Sequence, residues 1–138
     1  MASSWPQVLV VDDEPDLCWA LTKSLTRSGY RVTTAASGAG ALEMIAASQY
    51  SVAFVDAKLP DVDGLDLAAA MRRISPSTSI VLISGYYYQD DRTVSDGLAQ
   101  GLLDGFVAKP FAINAIREMA RQAAERFLTR RQALCRES

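Results

Sequence analysis

Five short runs rich in β-branched and apolar residues alternate with amphipathic stretches along this chain, and the alternation restricts its fold more than any other feature. The runs are Gln7 to Val11, Tyr30 to Ala35, Val52 to Val55, Ile80 to Ser84 and Phe106 to Ala108. Continuous apolar stretches such as Val8-Leu9-Val10-Val11 suit strands buried on both faces, the usual condition of a parallel sheet covered by helices. The fold class predicted is therefore α/β, with a five-stranded parallel sheet and helices on both faces. A chain of 138 residues with 49% hydrophobic content is enough for one such domain and too short for two.

The stretches between the runs carry helix signals. Pro15 suits a first helical turn and Gly29 a C′ position, giving a helix from Pro15 to Ser28 with Leu17, Leu21, Ser24, Leu25 and Ser28 on one face. Ser37 is placed to cap a second helix to about Ser48, with Leu42, Ile45 and Ala46 inward. A third runs from the Pro60/Gly64 loop to about Ile74, where Pro76 stops it. Asp91 to Gln100 is a weak helix at best, since Thr93, Val94, Ser95, Asp96 and Gly97 are poor helix formers. Pro110 opens the last helix, whose stripe of Ile113, Ile116, Met119, Ala120, Ala123, Phe127 and Leu134 outruns the needs of the core.

What the runs end in carries the chemistry. The first ends in Asp12 and Asp13, the third in Asp56, the fourth in Ser84, and the fifth is followed by Lys109. In open α/β sheets, ligands bind beyond the carboxyl ends of the strands, at the switch point of the strand order. For an order 2-1-3-4-5 that point lies between strands one and three, which deliver the three acids. Two carboxylates 4 Å apart repel by about 1 kcal/mol in water and about 4 kcal/mol at an effective dielectric near 20. Three on one edge call for a cation, and an all-oxygen set suits Mg2+. Asp12, Asp13 and Glu14 could simply favour the start of the next helix. That reading leaves Asp56, Ser84 and Lys109 unexplained.

Composition excludes several classes. With no histidine, the chain can form neither a Ser-His-Asp triad nor an HExxH zinc site, and cannot itself carry phosphohistidine. Cys18 and Cys135 have no metal-ligand spacing and read as reduced thiols. No apolar stretch is long enough to span a bilayer, and the N-terminus lacks signal-peptide character, so the expected location is cytoplasmic. Charge is uneven: from Lys109 onward there are seven basic and three acidic residues, against seven and thirteen before it. The basic end reads as a solvated helix face, or as a docking segment or linker.

Val10-Val11-Asp12-Asp13-Glu14-Pro15, Asp56-Ala57-Lys58-Leu59-Pro60 with Asp63-Gly64, Ser84-Gly85-Tyr86, and Phe106-Val107-Ala108-Lys109-Pro110-Phe111 occur in order, each at a strand end. In this the chain resembles the receiver domains of two-component response regulators. The resemblance implies a doubly wound, flavodoxin-like sheet of order 2-1-3-4-5, with the domain over residues 5–126 and a helical extension or the start of a linker over 127–138. It implies that Asp56 takes a phosphoryl group from a phosphohistidine of a histidine kinase or histidine phosphotransfer protein. Asp13, Asp56 and the backbone carbonyl of Lys58 would hold Mg2+, with Asp12 acting mainly through a bound water. Lys109 would pair first with Asp56 and then with the phosphoryl group. Ser84 and Phe106 would form the switch that alters a surface for a downstream effector. The Lys109-Pro110 bond is expected to be cis. Such a chain is a signalling domain rather than an enzyme acting on external substrates, without direct nucleic-acid or membrane binding of its own. A homodimer is compatible with it.

Some residues depart from the family's pattern. Phe106 lacks the hydroxyl of a tyrosine, and Lys58 places an unusual charge over the site, where it is expected to alter acyl-phosphate lifetime. Tyr86-Tyr87-Tyr88 lie in a stretch longer than usual. Trp19 is either a kinase contact or covered by the last helix or the Trp5 segment. Two other functions are compatible with these residues: a phosphorylation-independent interaction module, and a Mg2+-dependent phosphohydrolase. The latter draws on Asp61-Val62-Asp63-Gly64-Leu65, which resembles the nucleophile motif of haloacid dehalogenase-type phosphatases but follows Pro60 in mid-loop. Gly38-Ala39-Gly40 lacks the third glycine of a dinucleotide fingerprint.

Overall fold

The computed structural model describes residues 6–85 and 92–137. Trp5, the three consecutive tyrosines at 86–88 and Asp91 lie outside these residues. The strands are β1 (Gln7–Val11), β2 (Arg31–Ala35), β3 (Val52–Asp56), β4 (Ser79–Ser84) and β5 (Gly105–Ala108). All neighbours pair in parallel, in the order β2-β1-β3-β4-β5. The helices are α1 (Pro15–Arg27), α2 (Gly38–Ala47), α3 (Gly64–Ile74), α4 (Arg92–Ala99) and α5 (Ile113–Glu137). This is the predicted fold class and strand order.

Alternation of side chains along the strands divides the core into two layers. Val8 and Val10, Val52 and Phe54, Val81 and Ile83, and Val107 pack with Leu21 and Leu25 of α1 and with Ile116, Ala120 and Ala123 of α5. Leu9 and Val11, Ala53 and Val55, and Ile80 and Leu82 face the opposite way. They pack with Ala41 and Ile45 of α2, Leu67, Ala68 and Met71 of α3, and Val94 of α4. The central strands β3 and β4 are buried throughout, and the edge strand β2 exposes Arg31 and Thr34, as an edge should.

Local expectations hold at several helix ends. Pro15 opens α1, and the Ser37 hydroxyl accepts from the Gly40 amide at 3.1 Å to cap α2. At α3, where no capping residue was expected, Asp63 does the same by accepting from Leu65 N–H at 2.9 Å. The Lys109-Pro110 bond is cis.

Four details depart from expectation. Helix α5 starts at Ile113 rather than Pro110, because the Ala112 carbonyl is the first to accept helical bonds, from Ala115 and Ile116 N–H. Ala46 is exposed: Ala41 and Ile45, four residues apart, face the sheet, and Ala46 falls beyond that stripe. Ser28 lies past the end of α1 and is exposed. Leu134 is 48% exposed and follows three exposed residues, 131–133, so the apolar stripe runs on beyond the buried part of α5.

The base of the sheet holds a polar network. The Asp104 carboxylate, 1% exposed, accepts from Ile80 N–H at 2.8 Å and Arg72 Nη2 at 2.9 Å, and pairs with Arg126 at 3.3 Å and with Arg130. Arg72 also donates to the Thr78 and Leu102 carbonyls. Burial alone would raise the Asp104 pKa, but Arg130, Ile80 N–H and Arg72 outweigh it and hold the carboxyl below its usual range. Phe127 is buried one turn before Arg130, so α5 stays packed on the domain well past Ala123.

Candidate acidic phosphoacceptor site

Strand register decides which side chains meet at the carboxyl edge. Val11 pairs with Val55, so Asp12 and Asp56 follow β1 and end β3 at one level. Both continue the side of the sheet that carries Val10 and Phe54, and Lys109 continues the side of Val107. Ser84 and Phe106 follow the other parity: Phe106 packs with the α2, α3 and α4 layer, and Ser84 is buried beside Ala108 on the neighbouring strand. The acids and lysine thus form one group, and the two switch candidates share the opposite face.

Asp12 and Asp56 are buried and Asp13 is exposed, and the three offer carboxylate oxygens within 4.8 Å of one another. Lys109 Nζ lies 3.6 Å from Asp56 Oδ1, 3.3 Å from Asp12 Oδ2 and 2.9 Å from Glu14 Oε1. Asp12 Oδ1 accepts the Glu14 N–H at 2.9 Å, a local turn that fixes its carboxylate as the chain enters α1. The Cys18 thiol, which is free, donates to the Asp12 carbonyl at 3.3 Å, and burial raises its pKa.

Electrostatics follow from this crowding. Burial, and next the Asp12 carboxylate, push Asp56 up to about 6, with Lys109 offsetting only part of the effect. Burial likewise raises Asp12 against the pull of Glu14 N–H and Lys109. Lys109 loses by burial, but its bond to Glu14 and the charges of Asp12 and Asp56 more than compensate and raise its pKa. One ammonium therefore faces more negative charge than it neutralises. An all-oxygen donor set with surplus charge fits a hard divalent cation.

The loop after β3 is folded tightly against the end of that strand. Ala57 N–H donates to the Ile83 carbonyl and Gly64 N–H to the Ala57 carbonyl, both at 2.8 Å, and Lys58 pairs with Asp63 in an isolated antiparallel bridge. A Cβ on Gly64 would stand 2.4 Å from the Asp56 carbonyl oxygen, so α3 can start this close to the acid only at a glycine. Lys58 itself is exposed.

The family model described as the response regulator receiver domain matches residues 8–121. The chain belongs to this family. Among curated receiver-containing relatives, the transcriptional regulatory protein KdpE of Mycobacterium tuberculosis is 38% identical over 122 residues, covering 86% of this chain and 51% of the relative. The C4-dicarboxylate transport transcriptional regulatory protein DctD of Rhizobium meliloti is 31% identical over 124 residues, 90% of this chain and 26% of its own length. The chain thus spans about half, or less, of these relatives. Among solved structures, a chain described as adenylate cyclase from Rhodopirellula baltica superposes with a TM-score of 0.86 at 27% identity, covering 97% of this receiver and 99% of that chain. The response regulator TrrA from Thermotoga maritima, in complex with Mg(2+)-BeF, gives 0.74 at 28%, covering 86% and 98%.

Three features of this receiver were not anticipated from sequence: the Glu14–Lys109 pair, the contacts of Asp61 with α2, and the Asp104 network. Glu14 adjoins the two anticipated acids, so the run of three acids was its available signal. The other two join residues distant in sequence and left no local trace. Trp19 is 65% exposed, with Lys23 Nζ 4.7 Å from its ring centre, so α5 does not cover it. No helix among the described residues is long and apolar enough to cross a membrane.

Proposed function

We propose that this receiver accepts a phosphoryl group on Asp56 from a phosphohistidine of a sensor kinase or phosphotransfer protein, with Mg2+, and thereby switches a protein-binding surface. The observation that carries this is the grouping of the Asp12, Asp13 and Asp56 oxygens within 4.8 Å of one another, with Lys109 Nζ 3.6 Å from Asp56.

In the transfer, an Asp56 carboxylate oxygen forms a bond to phosphorus as the bond from phosphorus to the imidazole nitrogen breaks, and the imidazole leaves with the electron pair. Asp13, Asp56 and the Lys58 carbonyl would hold Mg2+, with Asp12 acting through water; the cation supplies charge neutralisation for nucleophile and phosphoryl group. The chain's own residues do the rest. Asp12, fixed by Glu14 N–H, keeps its carboxylate toward the site. Lys109 stands within reach of Asp56 and is available to a phosphoryl oxygen after transfer. Ser84, at the end of β4, would bond a second phosphoryl oxygen, and Phe106, paired with Leu82 on the same face, would follow it inward. The Mg(2+)-BeF complex of TrrA supports this reading.

The partner surface we assign is an open groove of about 440 Å³ beside Lys109, lined by Glu14, Leu17, Gly85, Pro110 and Phe111. Its mostly apolar wall next to the acids suits a helix that presents a phosphohistidine. Signalling would leave through α4, β5 and α5 to an effector. Incubation with Mg2+ and a small phosphodonor, read by intact mass, should add one phosphoryl group to wild type and none to Asp56→Ala. An unlabelled wild type would favour an interaction module that works without phosphorylation, and turnover of external phosphoesters would favour a hydrolase.

A further inference from the structure

Asp61 is exposed at the tip of the loop between β3 and α3, yet both of its carboxylate oxygens are bonded to backbone. Oδ1 accepts from Gly38 N–H at 2.9 Å and Oδ2 from Ala39 N–H at 3.0 Å. These are the first two amides of α2, which have no acceptor within the helix. The third, Gly40 N–H, goes to Ser37, and the first helical bond follows from Ala41 N–H to the Ser37 carbonyl. The start of α2 is thus capped by two side chains, one of them from 23 residues away. The two amides hold the Asp61 carboxyl below its usual range.

The fit is also steric. A Cβ on Gly38 would lie 2.3 Å from Val62 Cγ1 and 3.4 Å from Asp61 Oδ1, so the loop rests directly on the glycine. Val62 packs from there against the core layer shared by α2 and α3. The same loop is closed at its base by the Lys58–Asp63 bridge, the Leu59 N–H to Val62 carbonyl bond at 3.3 Å, and the Asp63 cap on α3. Its two ends are fixed by β3 and α3, and its tip by α2.

We propose that Asp61 is a positioning residue for the metal site: by clamping the loop to the start of α2 it holds the Lys58 carbonyl in place for Mg2+. This rests on the assignment of that carbonyl as a ligand, made above. A carbonyl on a tethered loop loses less conformational freedom when it binds than one on a loose loop. Removing the clamp therefore weakens the metal without removing any ligand.

The test is calorimetric titration of the chelator-treated full chain with Mg2+ alone. Asp61→Ala should weaken Mg2+ binding roughly threefold or more, less than the tenfold or greater loss typical of partners bonded directly to a ligand. Gly38→Ala, which pushes Val62 and the loop outward from the α2 side, should weaken it in the same direction. Asp61→Asn, which keeps one acceptor oxygen, should fall between Asp61→Ala and wild type. Ser37→Ala separates positioning from general loosening of α2: it removes the other cap and should lower thermal stability while leaving Mg2+ affinity within twofold of wild type. Equal affinity in wild type, Asp61→Ala and Gly38→Ala overturns the proposal and leaves the metal reading standing. Loss of affinity in Ser37→Ala as large as in Asp61→Ala also overturns it, because α2 stability would then suffice as the cause. A wild type that binds no Mg2+ removes both this inference and the ligand assignment beneath it.

Discussion

Lys109 reaches Glu14 more closely than Asp56, its ammonium lying 2.9 Å from the Glu14 carboxylate and 3.6 Å from the Asp56 oxygen. The lysine that the proposed reaction needs at Asp56 is shared with an acid on the rim of the site. Glu14 is largely exposed, so its hold on Lys109 is screened and modest.

Neutralising that rim acid should shift Lys109 toward the phosphoacceptor. Glu14→Gln is expected to speed labelling of Asp56 by a small phosphodonor at saturating Mg2+, by up to about fivefold given the usual strength of exposed pairs. Rates from quenched-flow mass spectrometry would decide it, and a variant slower than wild type would show that Glu14 assists rather than competes.

Burial and Asp12 raise Asp56 to about 6, which makes its ionisation a cost to the folded state without metal. The folded carboxyl holds a proton more tightly than the unfolded one, so the cost is absent below about pH 4, grows between pH 4 and 6, and is complete above that. In chelator, Asp56→Asn should stabilise the protein at pH 7 by up to about 3 kcal/mol, and the gain should vanish near pH 4. Urea melts across this range measure it, and a gain that grows on acidification would contradict the assignment.

Asp104 keeps its charge at 1% exposure because three arginines and a backbone amide surround it. Truncating Arg130 should cost about 1.5–3 kcal/mol, the range for hydrogen bonds to charged groups. Arg131→Ala, which loses a 3.3 Å contact with Gln49 and a guanidinium 5.9 Å from the Phe127 ring centre, both on an exposed side chain, should cost less, about 1 kcal/mol or below. Equal midpoints for the two variants in urea would mean that Arg72 and Arg126 suffice for Asp104.

Helix α4 is eight residues long and contains Thr93, Val94, Ser95 and Gly97, so its hydrogen bonds should open more readily than those of α1 or α5. Amides from 93 to 100 should exchange fastest among the described helices, and more slowly after addition of Mg2+ and beryllium fluoride. Exchange that does not respond to the addition would count against a switch running through this helix.

Much of the fold could be read in advance because its signals are local. Val8 to Val11 and Ile80 to Ile83 announce buried parallel strands by their composition, and Pro15 and Ser37 mark helix starts by their own chemistry. Asp12, Asp56 and Lys109 could be grouped because each stands at a strand end and the strand order joins those ends. That Ser84 and Phe106 take the opposite strand parity from Asp56 and Lys109 depends on a specific register, which composition leaves open. Asp61 with Gly38, and Asp104 with Arg72, meet across 23 and 32 residues. Each is an ordinary polar residue in its own neighbourhood, and only folding gives it a partner. Leu134 misled because a helical stripe can continue past the surface it packs on.

Helix α5 runs 25 residues, about 37 Å at 1.5 Å per residue, and Arg130 pins it to the base of the sheet two turns before its end. A pinned helix has a phase. Any segment continued from it without a break would inherit that azimuth, each inserted residue turning the segment by about 100° and advancing it 1.5 Å, while seven would nearly restore the original heading. Spacing measured in residues would then behave as an angular setting, like the teeth of a gear.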